Sequence, residues 1–586
     1  MGRGSQLTIV LIAVAIYFGC ILSPSGLMDD VDAVQAQIAR NMLDSGDWIT
    51  ARLNGVPYLE KSPLIYWMMA TSFSLFGVHD WAARIPLALA VVLLAVVTFR
   101  FGQWAFGDRA GWCAGLVIST CVGLWLFTRI QIPDAILTLA VTLTLWAFLR
   151  VREEPGWRWP ALFWSGIAIG LLLKGLIAIL FPAGAVVTYL LITREWKLIW
   201  LLRPLPGLAL LLFMAAPWHI AATLTNPPYF DLTMKSEPGQ YHGFFWFYFL
   251  NEHVFRFLNM RHPRDYNTVP RALFWLFHLL WLFPWSAFFP ATFTLSYKPV
   301  DRAGRTRLLA FCWAAFVMLF FTFSTTQEYY SMPIYPALAL LIGSAMASAD
   351  TLWILRGRLL IAGISGAAAF ACGGILTTVS HLPAPGDISQ ALTQNPSAYT
   401  LSLGHMGDLT MASFAYLRGP LVLAGIAFTI GAFGAWLLRD HLRAYLAIAV
   451  MMVLFFHAAR LALIAFDPYL GSRALATAYR QSPPGELIVD NQYYAFSSVF
   501  FYANTNALLL NGRVNNLEYG SYAPGAPKVF IDDAQFTRLW TQPNRRYLLV
   551  EGPSVPRIEK LVGAAALHQV RTSGGKFLYS NQAVSP

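Results

Sequence analysis

The sequence predicts a polytopic α-helical membrane protein with about thirteen membrane-crossing helices, interfacial helices in its first outer loop and a small C-terminal α/β domain. Three observations carry this reading. Of 586 residues, 57% are hydrophobic and only 12% are charged, against roughly 25% charged in an ordinary soluble domain; the mean hydropathy is +0.53. That composition cannot clothe a soluble multidomain surface in polar groups, and it is the opposite of a disordered chain's. Apolar stretches of membrane-spanning length recur from Leu7 to about Phe466. Beyond them the pattern changes to short apolar runs separated by turn residues.

A span takes about 20 mostly apolar residues. Stretches that qualify or nearly do are 7–24, 81–100, 110–128, 133–149, 161–173, 175–193, 205–224, 271–295, 308–323, 332–349, 359–379, 418–438 and 443–465. The block 161–193 is too long for one helix. A lysine is costly at the bilayer centre, so Lys174-Gly175 is placed at a turn that splits it. Residues 63–76 are apolar but short, which suits a helix lying in the interface. Acidic residues follow position 24 where a signal peptide would carry a small-residue cleavage site, so the first stretch is expected to stay as an anchor.

The net charge of +11 does not point to nucleic acid, because the Lys and Arg are scattered through short connectors rather than gathered in one patch. They read as topology signals. With the N-terminus cytoplasmic, the connectors holding Arg150, Arg152 and Arg158, or Lys298, Arg302, Arg305 and Arg307, fall inside; the short outer connectors hold only Arg129 and Lys174. The outer side then receives 25–80, 225–270, 380–417 and the tail. Residues 1–465 are expected to form the membrane domain and 466–586 an α/β domain on the outer side, with runs such as Leu487-Ile488-Val489 and Leu548-Leu549-Val550 as its strands. The five cysteines all lie in apolar segments without metal-type spacing and read as small buried hydrophobes.

Chemistry concentrates in the outer loops. Met28-Asp29-Asp30-Val31-Asp32 puts three carboxylates directly after the first span. One would serve as a helix cap; three suggest a group that deprotonates an acceptor or holds a divalent ion. The run Ala33 to Leu43 carries Val34, Ile38 and Met42 at helical spacing, a short amphipathic helix. In Tyr58-Leu59-Glu60-Lys61-Ser62-Pro63, Lys61 sits at headgroup depth, either neutralising a lipid phosphate or snorkelling beside a solvated Glu60. Asp134 opens a span after Pro133 and faces the same side as Asp29, Asp30 and Lys174. In the third loop, Glu252, His253 and Arg256, followed by Arg261, His262 and Arg264, either surround a phosphate or, with Glu60, ligate a metal ion. Gln327-Glu328-Tyr329-Tyr330 is placed to cap a substrate cavity. No P-loop, dinucleotide fingerprint, Ser elbow or HExxH motif appears, and an outer site has no access to cytosolic nucleotide sugars. The donor must arrive already activated.

Ile38-Ala39-Arg40-Asn41-Met42-Leu43, Ser45-Gly46-Asp47-Trp48 and Arg52-Leu53-Asn54-Gly55, after the acidic pair, resemble the first periplasmic loop of bacterial aminoarabinose transferases of lipid A, relatives of the protein O-mannosyltransferases. Tyr58 to Trp67, Phe76-Gly77-Val78 to Pro86 with Arg84, Pro133-Asp134, Lys174-Gly175, Glu252-His253 to Arg256 and Tyr330 to Pro336 extend the likeness over the first 350 residues. The resemblance implies an inner-membrane glycosyltransferase of the GT-C class. It would move a sugar, with inversion, from a polyprenyl-phosphate donor to lipid A or another envelope glycan or protein. By the same analogy Asp29 or Asp30 and Asp134 are the catalytic carboxylates; Lys61, Lys174, Arg256 and Arg129 serve the donor phosphate; Glu60 and His253 are available to a divalent metal ion; and Tyr58, Arg84, Gln327, Glu328 and Tyr330 line the cavity. One position departs: where the family commonly has an aromatic before the Ile-Ala-Arg segment, this chain has Gln35, and Asp29 or Asp30 is favoured over Asp32. A protein acceptor is the alternative. A lipid-linked sugar transporter is disfavoured, because its ionisable residues would lie at midplane rather than gather at one face.

Overall fold

The computed structural model describes residues 2–22, 25–235, 237–263, 269–324, 326–348, 352–393 and 401–583. Every one of the thirteen apolar stretches is helical, but they are not equivalent. Among the described residues eight helices are long and apolar enough to cross a membrane, or nine if the bent pair Arg271–Trp281 and Trp285–Thr294 is one span. The chain is a multi-pass helical membrane protein. Asp108–Thr120, Asp134–Arg150, Arg158–Lys174 and Ile177–Thr193 are shorter, and the last three pack on one another beneath the site.

Two stretches expected to be straight are not. The 271–295 segment turns by 100° around Pro284, whose ring removes a backbone donor and clashes with the preceding turn. The 110–128 segment breaks at Cys121, whose backbone is extended. The two breaks face each other, and the Val122 N–H freed by one donates to the Phe283 carbonyl of the other (3.1 Å). The split at Lys174-Gly175 stands: Gly175 has φ +75°, a conformation that stops the Arg158–Lys174 helix and redirects the chain. All five cysteines are buried.

The loop between the first two long apolar helices holds the helices Val31–Ser45 and Leu64–Phe76, as the apolar spacing implied. Between them a two-strand hairpin, β1 (Arg52–Leu53) and β2 (Val56–Pro57), closes through Asn54-Gly55, both at positive φ. Asn-Gly is the sequence that such a turn favours. The last apolar helix runs on to Leu470, so the change of architecture follows 470 rather than 465. The sheet after it comprises β3 (Glu486–Asp490), β4 (Leu508–Leu510), β5 (Phe530–Ile531), β6 (Arg546–Glu551), β7 (His568–Ser573) and β8 (Lys576–Ser580), in the order β5-β4-β3-β6-β8-β7. The first four strands are parallel and the β7–β8 hairpin adds antiparallel to β6. One face buries Ile488, Leu510, Phe536, Trp540, Leu548 and Ile558.

Candidate active site

The break at Gly175 creates the site's first feature. It ends a helix on Lys174, whose ammonium pairs with Asp134 at the start of the Asp134–Arg150 helix and lies over the rings of Tyr329 and Tyr330, 5.1 and 4.8 Å from their centroids. Asp134 is buried and its second carboxylate oxygen has no hydrogen-bond partner. The turn also leaves the Leu176 N–H without a helical acceptor, and His253 Nε2 accepts it at 3.1 Å. His253 Nδ1 lies 2.6 Å from the Tyr248 carbonyl, which fixes that nitrogen as the protonated one. Burial holds the imidazole pKa down to about 4.

The second feature is a buried charge network. Residues Trp246–Phe255 form a wide π-type helical turn, a form that recurs at functional sites. It presents Glu252 to two guanidiniums, Arg256 at 3.0 Å and Arg261 at 2.6 Å. Across from it Glu60 pairs with Lys61, takes the Tyr58 hydroxyl at 2.6 Å and accepts from the Asn516 side chain. Burial alone would raise the Glu60 pKa, but Lys61, Arg261 and Arg256 outweigh it and hold the group at about 2. Glu60 is not the solvated partner of a snorkelling lysine. Asn516, from the C-terminal part, also accepts from Arg261 at 2.7 Å. Nothing in the sequence marked Asn516, because its role depends on a docking between segments more than 250 positions apart.

These features meet in one cavity of about 770 Å³. Its polar end is lined by Glu60, Lys61, Lys174, Glu252, His253, Arg256 and Tyr330. Its other end is apolar, formed by Ile177, Leu180, Ala183, Phe257, Phe320 and Phe321. Ile179, Leu180 and Phe257 are themselves partly exposed, so this end reaches the apolar surface of the helices. Among the described residues, Lys61, Lys174, Arg256 and Arg261 against Glu60, Asp134 and Glu252 leave one formal positive charge. A net-cationic end thus adjoins an apolar one.

Several expected site residues lie elsewhere. Asp29 is not at the cavity: it pairs with Lys576 at 2.7 Å and accepts from the Ser472 hydroxyl and the Ser498 amide. Asp30 also does not line it; at φ +70° it begins the Val31–Ser45 helix. Arg84 is spent on Asp32 (3.1 Å) and on the carbonyls of Arg129 and Gly26. Arg129 lies over the Trp125 ring instead of at the phosphate end. Tyr58 stands behind Glu60, and Glu328 is buried against the Ser402 amide, while Gln327 only precedes the helical turn that carries Tyr330. Arg264 lies outside the described residues.

The metal pairing of Glu60 with His253 does not fit. Both ring nitrogens of His253 are engaged by backbone, and Glu60 is enclosed by donors. Among the described residues no group of three His, Cys, Asp or Glu side chains is placed to hold a metal ion.

Residues 60–220, which carry Glu60, Lys61, Asp134 and Lys174, match the family model described as dolichyl-phosphate-mannose-protein mannosyltransferase. The undecaprenyl phosphate-α-4-amino-4-deoxy-L-arabinose arabinosyl transferase of Aeromonas salmonicida is 28% identical over 53% of this chain and 54% of its own. A second transferase of that name from Sodalis glossinidius is 27% identical over 71% and 74%. The chain thus spans about half the length of the first of these curated relatives. The crystal structure of ArnT from Cupriavidus metallidurans bound to undecaprenyl phosphate superposes over 100% of both chains with TM-score 0.80 at 21% identity. In sequence over half or more of its length, and in fold over its full length, the chain is similar to bacterial undecaprenyl phosphate-aminoarabinose arabinosyl transferases.

Proposed function

We propose that the protein is a periplasm-facing inner-membrane glycosyltransferase that moves a sugar from a polyprenyl-phosphate carrier to an envelope acceptor of the lipid A type. The observation that carries this is the cavity itself. Its cationic end suits a phosphodiester, and its apolar end suits an isoprenoid tail entering from the bilayer. The names of the relatives supply the sugar class and the undecaprenyl carrier.

The acceptor oxygen attacks the anomeric carbon from the face opposite the phosphate, and the C–O bond to that phosphate breaks. Its electron pair stays on the leaving oxygen, so the polyprenyl phosphate goes from one negative charge to two. Lys61, Lys174 and Arg256 meet that added charge in a poorly solvated pocket, where fixed cations stabilise it far more than in water. Asp134 holds Lys174 in place, and its unpartnered oxygen is available to a substrate donor. Asp30, which does not line the cavity, keeps a role in orienting or deprotonating the acceptor only by the family resemblance. If that acceptor is a phosphate, orientation alone suffices. A protein hydroxyl is the second acceptor reading, favoured by the family model over residues 60–220.

The test is reconstitution in proteoliposomes with undecaprenyl-phosphate-linked 4-amino-4-deoxy-arabinose, and with lipid A or a Ser/Thr-rich peptide as acceptor. Lipid A product from the wild type, falling at least a hundredfold in Lys61→Ala and Lys174→Ala, supports the reading. No product on either acceptor, or full activity in both variants, overturns it.

A further inference from the structure

The two segments that supply the charged end of the cavity meet directly where the Ser62 and Tyr248 hydroxyls are hydrogen-bonded, and a third piece of chain ties them at their charged groups. Glu60 and Lys61 belong to the first loop, Glu252 and Arg256 to the 246–261 segment, and a short helix from the C-terminal part, Asn515–Ser521, is packed against both. On the first loop, the Gly520 backbone rides so close to β2 that a methyl group there would lie 1.9 Å from the Pro57 carbonyl oxygen. On the other side the Tyr519 ring stacks on Phe247 at 4.0 Å, and its hydroxyl donates to the Gly243 carbonyl (2.9 Å) and accepts from the His242 amide (3.0 Å). Between these contacts the Asn516 amide donates to Glu60 and accepts from Arg261, which in turn grips Glu252.

We propose that the Asn515–Ser521 helix is a bridge that sets the spacing of the two charged segments, and that Asn516 is a positioning residue for the donor-phosphate site. The amide suits this because it offers one donor and one acceptor at a fixed distance and carries no charge. A carboxylate in its place would satisfy Arg261 but would face Glu60 with like charge. Asn516 touches no residue that leaves or enters a bond in the reaction. It acts through Glu60, which holds Lys61, and through Arg261, which with Arg256 flanks Glu252.

The proposal rests on the transferase reading, and its test separates the two. Asn516→Ala, Asn516→Asp and wild type are compared in full-length protein, by transfer kinetics and by amide hydrogen exchange of peptides covering 52–64 and 246–263. In Asn516→Ala, kcat falls about tenfold, the worth of one hydrogen bond to a charged group, and both peptides exchange faster while the sheet is unchanged. The groups facing Glu60 are Tyr58, Lys61 and Tyr66 from its own loop, Glu252, Arg256 and Arg261 from the third loop, Tyr329 from the Glu328–Ile334 turn, and Asn516. A carboxylate added among them makes it share a proton with Glu60, so Asn516→Asp shifts the acid limb of the rate profile to higher pH. Unchanged exchange in either peptide of Asn516→Ala overturns the bridge, whether or not the wild type transfers sugar. Wild-type kcat in that variant, or an unshifted acid limb in Asn516→Asp, overturns the positioning role. Absence of transfer in wild type with faster exchange in Asn516→Ala overturns the transferase reading and leaves the bridge standing.

Discussion

His253 shows how a residue with a functional reputation takes a structural task. In sequence its neighbours Glu252 and Arg256 made it a plausible ligand for phosphate or metal. In the fold it caps the amide released where Gly175 breaks the chain, and it must be neutral to do so. The sign of the pH effect follows from its depressed pKa. At pH 7 both folded and unfolded states are uncharged at this position. As pH falls from 6.5 toward 4 the unfolded chain takes up a proton that the folded site refuses. Stability is therefore lost across that window, by on the order of 3 kcal/mol if the site stays intact. Thermal unfolding in detergent at pH 7 and pH 4.5 measures this, and His253→Gln flattens the dependence. Lys174 is the complementary case. Removing it as Lys174→Met strands Asp134 in a buried site, costing about 3 kcal/mol, and Asp134→Asn in the same protein recovers part of that. An unaltered melting temperature in the single variant would show that the pair is not what holds this turn.

At the scale of elements, Gly175 decides whether the site exists. A methyl group there would fall 2.2 Å from His253 Nε2 and 2.7 Å from the Tyr248 hydroxyl, and φ is +75°. Gly175→Ala therefore costs a few kcal/mol, from strain and from displacement of His253. It is also expected to abolish sugar transfer. The check is a melting curve alongside the transfer assay; a stable and active Gly175→Ala protein would contradict the geometry. Helix existence was legible because burial of apolar runs in a bilayer leaves few alternatives, and Lys174-Gly175 was legible as a break because a charge is costly at midplane. The bend at Pro284 and the interruption at Cys121 were not. Each is tolerated only because the other satisfies its backbone, a tertiary fact absent from either segment. The hairpin at Asn54-Gly55 was readable from turn chemistry alone, yet its flanking strands are too short to give a period-two signal.

At the scale of the molecule, the C-terminal part grips the first loop at several places, and one of them engages Asp29 away from the cavity. Beside Asp30 the Asp29 carboxylate receives Lys576, Ser472 and Ser498; at the hairpin tip Asn54 exchanges two hydrogen bonds with the Ala507 backbone; and Asn516 reaches Glu60. Lys61, Lys174 and Arg256 were legible as candidate cations of the site, and all three line the polar end of the cavity. The carboxylates were ambiguous, because an acidic run says nothing of which member faces a partner 547 residues away. The consequence is specific to the Asp29–Lys576 pair, both members of which are largely buried. Lys576→Met leaves the Asp29 charge with only neutral donors, at a cost of about 3 kcal/mol or more. It also loosens the strained turn at Asp30, whose N–H donates to the Tyr494 carbonyl and whose own carbonyl accepts from Ser497. Because Asp30 is assigned to the acceptor and Lys61, Lys174 and Arg256 to the donor, the variant should lower kcat while polyprenyl phosphate affinity stays within about twofold. Lys576→Arg, which keeps the charge, should restore most of the rate. Isothermal titration with polyprenyl phosphate beside transfer kinetics measures both quantities. Loss of phosphate affinity in Lys576→Met would show that the Asp29–Lys576 pair shapes the donor site rather than the acceptor side.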